Sequence, residues 1–153
     1  MSSIRELLEG NSLHKSLLES AGKLAEKENL SAYVVGGYVR DMILGNDSND
    51  IDIMVEGDGI AFAKKLSKEL NVQSTVVYDK FGTALIPYPD VNIEIASARK
   101  EEYSPSSRKP IISSSTIEED MARRDFTINA IAASITPHNF GQLHDPFQGI
   151  KDL

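Results

Sequence analysis

Gly36-Gly37-Tyr38-Val39-Arg40-Asp41 is followed at short range by Asp50-Ile51-Asp52. A glycine pair where a strand gives way to a helix lets the backbone come close to a ligand. The unpaired N–H groups and the dipole of the helix start attract phosphate oxygens. Arg40, in the first turn, adds a forked cationic donor suited to a triphosphate. Carboxylates at alternate strand positions point the same way, roughly 7 Å apart by the rise per residue. Their repulsion makes that pattern unfavourable without a cation. Oxygen ligands of this kind suit magnesium, which keeps waters and combines one or two carboxylates with substrate phosphates. The chemistry implied is binding of a nucleoside triphosphate, with metal ions held on it, and transfer of its nucleotidyl group. Each part also has an ordinary reading. The glycines fit a tight turn beside a surface arginine, and the aspartates fit a solvated strand face after a polar turn.

Further candidates lie downstream. In Val91-Asn92-Ile93-Glu94-Ile95-Ala96, Ile93 and Ile95 share one face and Glu94 takes the other. Beside the Asp50–Asp52 strand, Glu94 would join or support the metal site; alone, it is an exposed strand glutamate. Arg123-Arg124-Asp125-Phe126-Thr127-Ile128-Asn129-Ala130-Ile131-Ala132 sets arginines next to a carboxylate and an amide. That composition suits phosphates and ribose hydroxyls, with the intervening apolar residues anchoring the segment to a sheet. Its spacing alone fits a helix with a charged first turn equally well.

The elements that must position these residues can be read from periodicity. Ala32–Val35 is a short β-branched and aromatic run, hence a buried strand. Val39, Met42 and Ile43 mark one face of the helix after it, with Gly45 as its stop. In the metal strand Asp50, Asp52 and Met54 share a face, opposite Ile51, Ile53 and Val55. Residues 3–29 read as one or two amphipathic helices, with Leu7, Leu8, Leu13, Leu17, Leu18 and Leu24 as core contacts. Asp58 can cap a helix whose Phe62, Leu66 and Leu70 form a core stripe. Val72–Tyr78 and Thr83–Ile86 read as a strand pair joined by Asp79-Lys80-Phe81-Gly82. Residues 99–115, rich in serine, proline and charge, read as one long mobile loop. Thr116 and Glu119 form a capping box for the helix after it.

These motifs together resemble the catalytic head of class II tRNA nucleotidyltransferases and bacterial poly(A) polymerases. The resemblance is carried by the Gly36–Asp41 and Asp50–Asp58 stretches, by Ile95-Ala96-Ser97-Ala98-Arg99-Lys100-Glu101, and by Arg123–Ala130. Asp145-Pro146-Phe147-Gln148-Gly149-Ile150-Lys151-Asp152-Leu153 is similar to the family's end-of-head signature. The motifs run in order from about residue 15 to the C-terminus. The resemblance implies an α/β (α+β) fold of the DNA polymerase beta type, a small mixed sheet flanked by helices. It assigns catalysis and metal binding to Asp50 and Asp52 in a two-metal Mg2+ site, to which the strand reading above adds Glu94 as a metal ligand. It assigns nucleotide binding to Gly36, Gly37, Arg40, Arg124, Asp125 and Asn129, and Asp41, beside Arg40 in the same motif, is taken with them.

The activity so implied is metal-dependent transfer of a nucleotidyl group from ATP, CTP or both to the 3′-hydroxyl of RNA. The RNA is a tRNA 3′ end receiving CCA, CC or A. A poly(A) polymerase head, a non-catalytic nucleotide-binding module, and a small nucleotidyltransferase acting on a protein or small molecule are the alternatives. Residues 1–153 would be the head alone, without the neck, body and tail domains that read the base and grip tRNA, hence a piece of a longer protein or a gene fragment.

Bulk properties fit one domain. The chain has 153 residues, 41% hydrophobic and 25% charged, ordinary for a soluble globule with a sizeable core. The absence of cysteine excludes disulfides, thiol catalysis and cysteine-bound zinc. No run reaches transmembrane length and no signal-peptide pattern opens the chain, so a cytoplasmic location and no membrane partner are expected. A net charge of −7 is wrong for a self-sufficient RNA binder. His14, His138 and His144 are scattered and carry no expected catalytic or metal role.

Overall fold

The computed structural model describes residues 2–103, 110–114, 116–122 and 129–153. Two helices open the chain, α1 (Arg5–Glu9) and α2 (Ser12–Lys27), followed by strand β1 (Ala32–Val35), helix α3 (Gly36–Leu44), strand β2 (Asp50–Val55) and helix α4 (Gly59–Glu69). Strands β3 (Val76–Tyr78), β4 (Thr83–Tyr88) and β5 (Val91–Ser97) come next, then β6 (Arg99–Tyr103) and β7 (Pro110–Ser114). Helix α5 (Ile117–Ala122) and the short strands β8 (Ala132–Ser134) and β9 (Leu143–His144) complete the described α-helices and strands, with 3-10 turns at Asp79–Phe81, Pro137–Asn139 and Gly149–Asp152. Seven strands form one sheet in the order β3-β4-β5-β2-β1-β8-β9. Its described pairs are antiparallel apart from β2–β5. This is the expected mixed sheet flanked by helices.

Alternation along the strands gives the sheet two unlike faces. One face carries Ile51, Ile53 and Val55 of β2, Ile93 and Ile95 of β5, and Ala84 and Ile86 of β4. These pack with Leu17, Leu18 and Leu24 of α2, Val39 of α3, and Phe62 and Leu66 of α4 to form the main core. Local chemistry starts and stops the helices as expected. The Asp58 side chain accepts from Ala61 N at 3.0 Å, and Asn11 accepts from His14 N at 3.1 Å. Gly45, in the left-handed region, ends α3. Thr116 and Glu119 form the capping box, Glu119 N donating to Thr116 Oγ1 at 3.3 Å.

The opposite face is only partly covered. Tyr33, Val35, Met54 and Ala132 form a second buried cluster there with Ala98, Ala130 and Ile117 and Met121 of α5. Met54 therefore shares a face with Asp50 and Asp52, as its spacing requires, yet is 2% exposed. Tyr33 runs through this cluster and donates its hydroxyl to Glu56 Oε1 at 2.7 Å. Burial, with the Glu56 carboxylate beside it, pushes the Tyr33 phenol up.

Three expectations change. Leu7 and Leu13 are exposed, because the short α1 and the first turn of α2 bury only one side each. The strand expected at Val72–Tyr78 shrinks to Val76–Tyr78; Val72 instead packs against the main core. Residues 99–115 are not one long loop. Arg99–Tyr103 and Pro110–Ser114 pair antiparallel over five positions, separate from the main sheet. Their charged and serine-rich composition conceals strands because mutual pairing satisfies the backbone without apolar alternation. No described helix is long and apolar enough to cross a membrane.

Candidate active site

The uncovered part of the second face holds most of the candidate site residues. β1 delivers the chain to Gly36, whose φ of 63° lies in the left-handed region that side chains other than glycine enter at a cost. That turn bonds Gly36 N to Ile131 O at 3.1 Å and starts α3. Val35, the residue before the helix, offers no side-chain cap, and the first turn has no acidic residue. The α3 start is therefore a positive pole whose N–H groups have no side-chain acceptor from the cap. At Gly37 an added Cβ would lie 3.2 Å from Arg40 Nη2, so glycine lets the guanidinium fold back across the helix start.

Arg40 is anchored from two sides. Its Nε lies 3.3 Å from Asp41 Oδ1, and its Nη1 donates to Asn129 Oδ1 at 3.3 Å. Both Arg40 and Asp41 are half-buried, so this cation sits at the rim of the cleft rather than waving in solvent.

Across the cleft, β2 and β5 run in parallel register with Asp50 opposite Asn92 and Asp52 opposite Glu94. Asn92 Nδ2 donates to Asp50 Oδ1 at 3.5 Å, and Ser48 Oγ accepts from Asp50 N at 3.3 Å. One cleft of about 320 Å³ is lined by Gly37, Tyr38, Arg40, Asp41, Asp50, Asp52 and Glu94, with Ser48, Ile51, Leu85 and Asn92 between them.

The expected site residues thus fall into three groups. Gly37, Arg40, Asp41, Asp50, Asp52 and Glu94 share the cleft. Gly36 is buried at the turn behind it, and Asn129 joins through its bond to Arg40. Arg124 and Asp125 lie outside the described residues. Sequence reasoning missed Ser48, Leu85, Asn92 and Tyr38. Asn92 had a signal, since it sits two residues before Glu94 on the same strand face.

Tyr38, which also lines the cleft, has its hydroxyl 3.1 Å from His14 Nδ1 of α2. Burial raises the Tyr38 phenol to about 12. Desolvation lowers the His14 imidazole against the pull of Asp47. The pair is thus neutral near pH 7 and fixes α3 against α2.

The donor set suits a hard divalent cation. Among the described residues no group of three or more His, Cys, Asp or Glu side chains is placed to hold a metal ion, so Glu94 does not close a three-carboxylate site with Asp50 and Asp52 here. Two strand aspartates with a glutamate in register match an ion that takes its remaining ligands from water and phosphate, as magnesium does.

The glycine-led helix start and the acidic strand pair line one cleft. The chain belongs to the poly(A) polymerase head-domain family: the profile described as "Poly A polymerase head domain" matches residues 32–153. It is 40% identical over 139 residues to the A-adding tRNA nucleotidyltransferase of Geobacter sulfurreducens, covering 90% of this chain and 16% of that protein. It is 39% identical over 141 residues to the A-adding tRNA nucleotidyltransferase of Halalkalibacterium halodurans, covering 92% of this chain and 33% of that protein. A solved CCA-adding enzyme, apo form II, superposes with a TM-score of 0.88 at 40% identity, over 98% of this chain and 36% of its own. A tRNA nucleotidyltransferase complexed with a primer tRNA and an incoming ATP analogue superposes with a TM-score of 0.73 at 39% identity, over 86% of this chain and 36% of its own. The chain therefore spans about a third or less of the length of these relatives.

Proposed function

We propose that this chain is the catalytic head of an enzyme that transfers a nucleotidyl group from a nucleoside triphosphate to the 3′-hydroxyl of an RNA, the 3′ end of a tRNA. One observation carries the reading: Asp50 and Asp52 share a cleft with Gly37 and Arg40 at the start of α3. Residues suited to phosphate and residues suited to a divalent ion line the same cleft of about 320 Å³. The relatives named A-adding and CCA-adding enzymes support the RNA 3′ end as acceptor.

Asp50 and Asp52, with Glu94 in register, are the residues that would hold divalent ions, magnesium by donor type. Bound there, a pair of such ions supplies charge neutralisation at the α-phosphate and lowers the pKa of the attacking hydroxyl. The chain's own residues do the rest. The N–H groups at the α3 start and the Arg40 guanidinium hold the β and γ phosphates, so the leaving pyrophosphate departs toward fixed positive charge. Asp41 and Asn129 hold Arg40 in that pose. Asn92 and Ser48 orient Asp50. Arg124 and Asp125 are assigned to the sugar and phosphates by the family resemblance. Positioning and charge account for most of the rate gain in this chemistry.

ATP or CTP as donor, two magnesium ions, and tRNA held through further domains complete the proposal, with the cytoplasm as its place. Titration calorimetry of ATP with and without magnesium tests it. Binding that strengthens with magnesium in the wild type and not in Asp52→Ala is expected. Magnesium-independent binding, or equal binding by both proteins, overturns it.

A further inference from the structure

The strand register carries the reactive face beyond the cleft. Paired residues of neighbouring strands project from the same side of a sheet. Asp52 lies opposite Glu94, Glu94 opposite Leu85, and Leu85 opposite Val76. One row of side chains thus runs from the carboxylates to the sheet edge. The next row runs Met54, Ala96, Thr83, Tyr78. At their far ends Val76 is 44% and Tyr78 47% exposed, and Phe81, in the turn joining β3 to β4, is 55% exposed. Lys80 Nζ stands 6.0 Å from the Phe81 ring centroid. Two exposed aromatics, an exposed valine and a cation are therefore gathered on β3 and its turn, three strands from Asp52. At the usual strand spacing the separation is about 14 Å.

An acidic chain gains nothing for folding by exposing this group. Aromatic rings beside a cation, at one end of a sheet face with metal-binding carboxylates at the other, match single-stranded nucleic acid: bases stack on the rings and the cation meets the backbone. Continuity with the cleft selects the occupant. A strand whose terminal hydroxyl lies at Asp50 and Asp52 can follow the Asp52–Glu94–Leu85–Val76 row, beside the row whose Met54 is buried, and reach β3 within a few nucleotides. We infer that Tyr78 and Phe81, with Lys80, form a stacking platform for the unpaired 3′-terminal nucleotides of the acceptor RNA, upstream of the reacting hydroxyl. The inference rests on the nucleotidyl-transfer reading and adds to it a subsite on the head itself. Stacking of this kind is tolerant of base identity, so the platform sets register rather than sequence.

Photocross-linking of the full chain tests it. The probes are short RNAs with a free 3′-hydroxyl and 5-iodouridine at the second, third or sixth position from the 3′ end, with magnesium and a non-hydrolysable ATP analogue. Cross-links at Tyr78 or Phe81 from the second or third position, and none there from the sixth, are expected. Tyr78→Ala should reduce RNA affinity roughly ten- to hundredfold, by the usual contribution of one stacked base, while Tyr78→Phe keeps it. Magnesium-dependent ATP binding by Tyr78→Ala shows that the fold and the cleft persist. Cross-links elsewhere, none at any position, or equal RNA binding by Tyr78→Ala overturns the platform while leaving the cleft reading intact. Loss of magnesium-dependent ATP binding in the wild type overturns the cleft reading instead. β3 is also a sheet edge, open to a second copy. Self-association in sedimentation that Tyr78→Ala abolishes, with no RNA cross-link, would assign the patch to that copy and overturn the proposal.

Discussion

Arg40 Nη1 donates to Asn129 Oδ1 at 3.3 Å across 89 residues of chain. The bond ties α3 to the segment that leads into β8. With Asp41 on its other side, Arg40 is held by two acceptors before any ligand arrives. Preorganisation of this kind reduces the ordering required on binding. Arg40→Ala should therefore weaken ATP about tenfold or more, the usual effect of losing a charge-assisted hydrogen bond. Adenosine should bind as before. Calorimetry with both ligands checks it, and equal losses would remove Arg40 from the phosphate site.

Asp50→Ala and Asp52→Ala should each abolish magnesium-dependent transfer in a full-length enzyme carrying this head. The head itself should keep its fold, because the β2 core contacts are made by Ile51, Ile53, Met54 and Val55. Unchanged turnover in Asp52→Ala, with an unaltered circular dichroism melt, would end the two-metal reading.

Gly36→Ala tests the strand-to-helix turn. A Cβ at φ of 63° costs about 1–2 kcal/mol, which for a chain of this size lowers Tm by roughly 2–8 °C. ATP affinity should fall with it, since the α3 start moves. A melt indistinguishable from wild type would mean that the turn is not strained by a side chain.

Alkaline stability should report Tyr38. Its phenol rises from 10.0 to about 12 on burial. The folded protein therefore holds that proton where the unfolded chain releases it. The contribution is complete below pH 10 and is lost as pH climbs from 10 toward 12, about 2–3 kcal/mol in all. His14 acts at the other end. Its lowered pKa means that the unfolded chain takes up the proton first, so stability falls as pH drops below 6.5. Chemical denaturation from pH 8 to 11 should fall more steeply for wild type than for Tyr38→Phe. Parallel curves would contradict the assignment.

Discrimination among bases is the last expectation. The chain spans about a third or less of the relatives named above, and the described cleft residues are proposed to serve phosphates and metal rather than the base. ATP, CTP, GTP and UTP should bind with similar weak affinity in magnesium, and residues 1–153 should extend a tRNA primer poorly. A strong preference for one triphosphate, or efficient CCA completion, would place base selection within the head.

Local chemistry made much of this legible. Strand β1, the Gly45 stop, the Asp58 cap and the Thr116–Glu119 box are set by residues within a few positions of one another, and each appears in the structure. So does the split of β2 into an Ile51–Ile53–Val55 core face and an aspartate face. What could not be read depended on pairing. Nothing near Arg99 or Pro110 announces that these polar segments are each other's partners. Exposed Leu7 and buried Met54 differ only in what the rest of the chain lays over them. Of the candidate site, Asp50, Asp52 and Glu94 were legible from alternation. The Arg40–Asn129 bond was not, because no local pattern links a helix start to a segment so far along the chain.

The parallel pairing of β2 with β5 also orders the assembly of the protein. Parallel neighbours need a long crossover, here supplied by α4, β3 and β4. Asp52 and Glu94 are therefore strangers in the unfolded chain and meet only when a non-local contact of this length closes, the slow kind of step in folding. Their mutual repulsion is absent from the early stages and arrives with that closure. A divalent cation, by relieving it, would act on the late step and leave the local hairpins and helices untouched. The acidic pair thus marks that one closure, while the longer-range pairing of β1 with β8 is a separate event that bears no such charge.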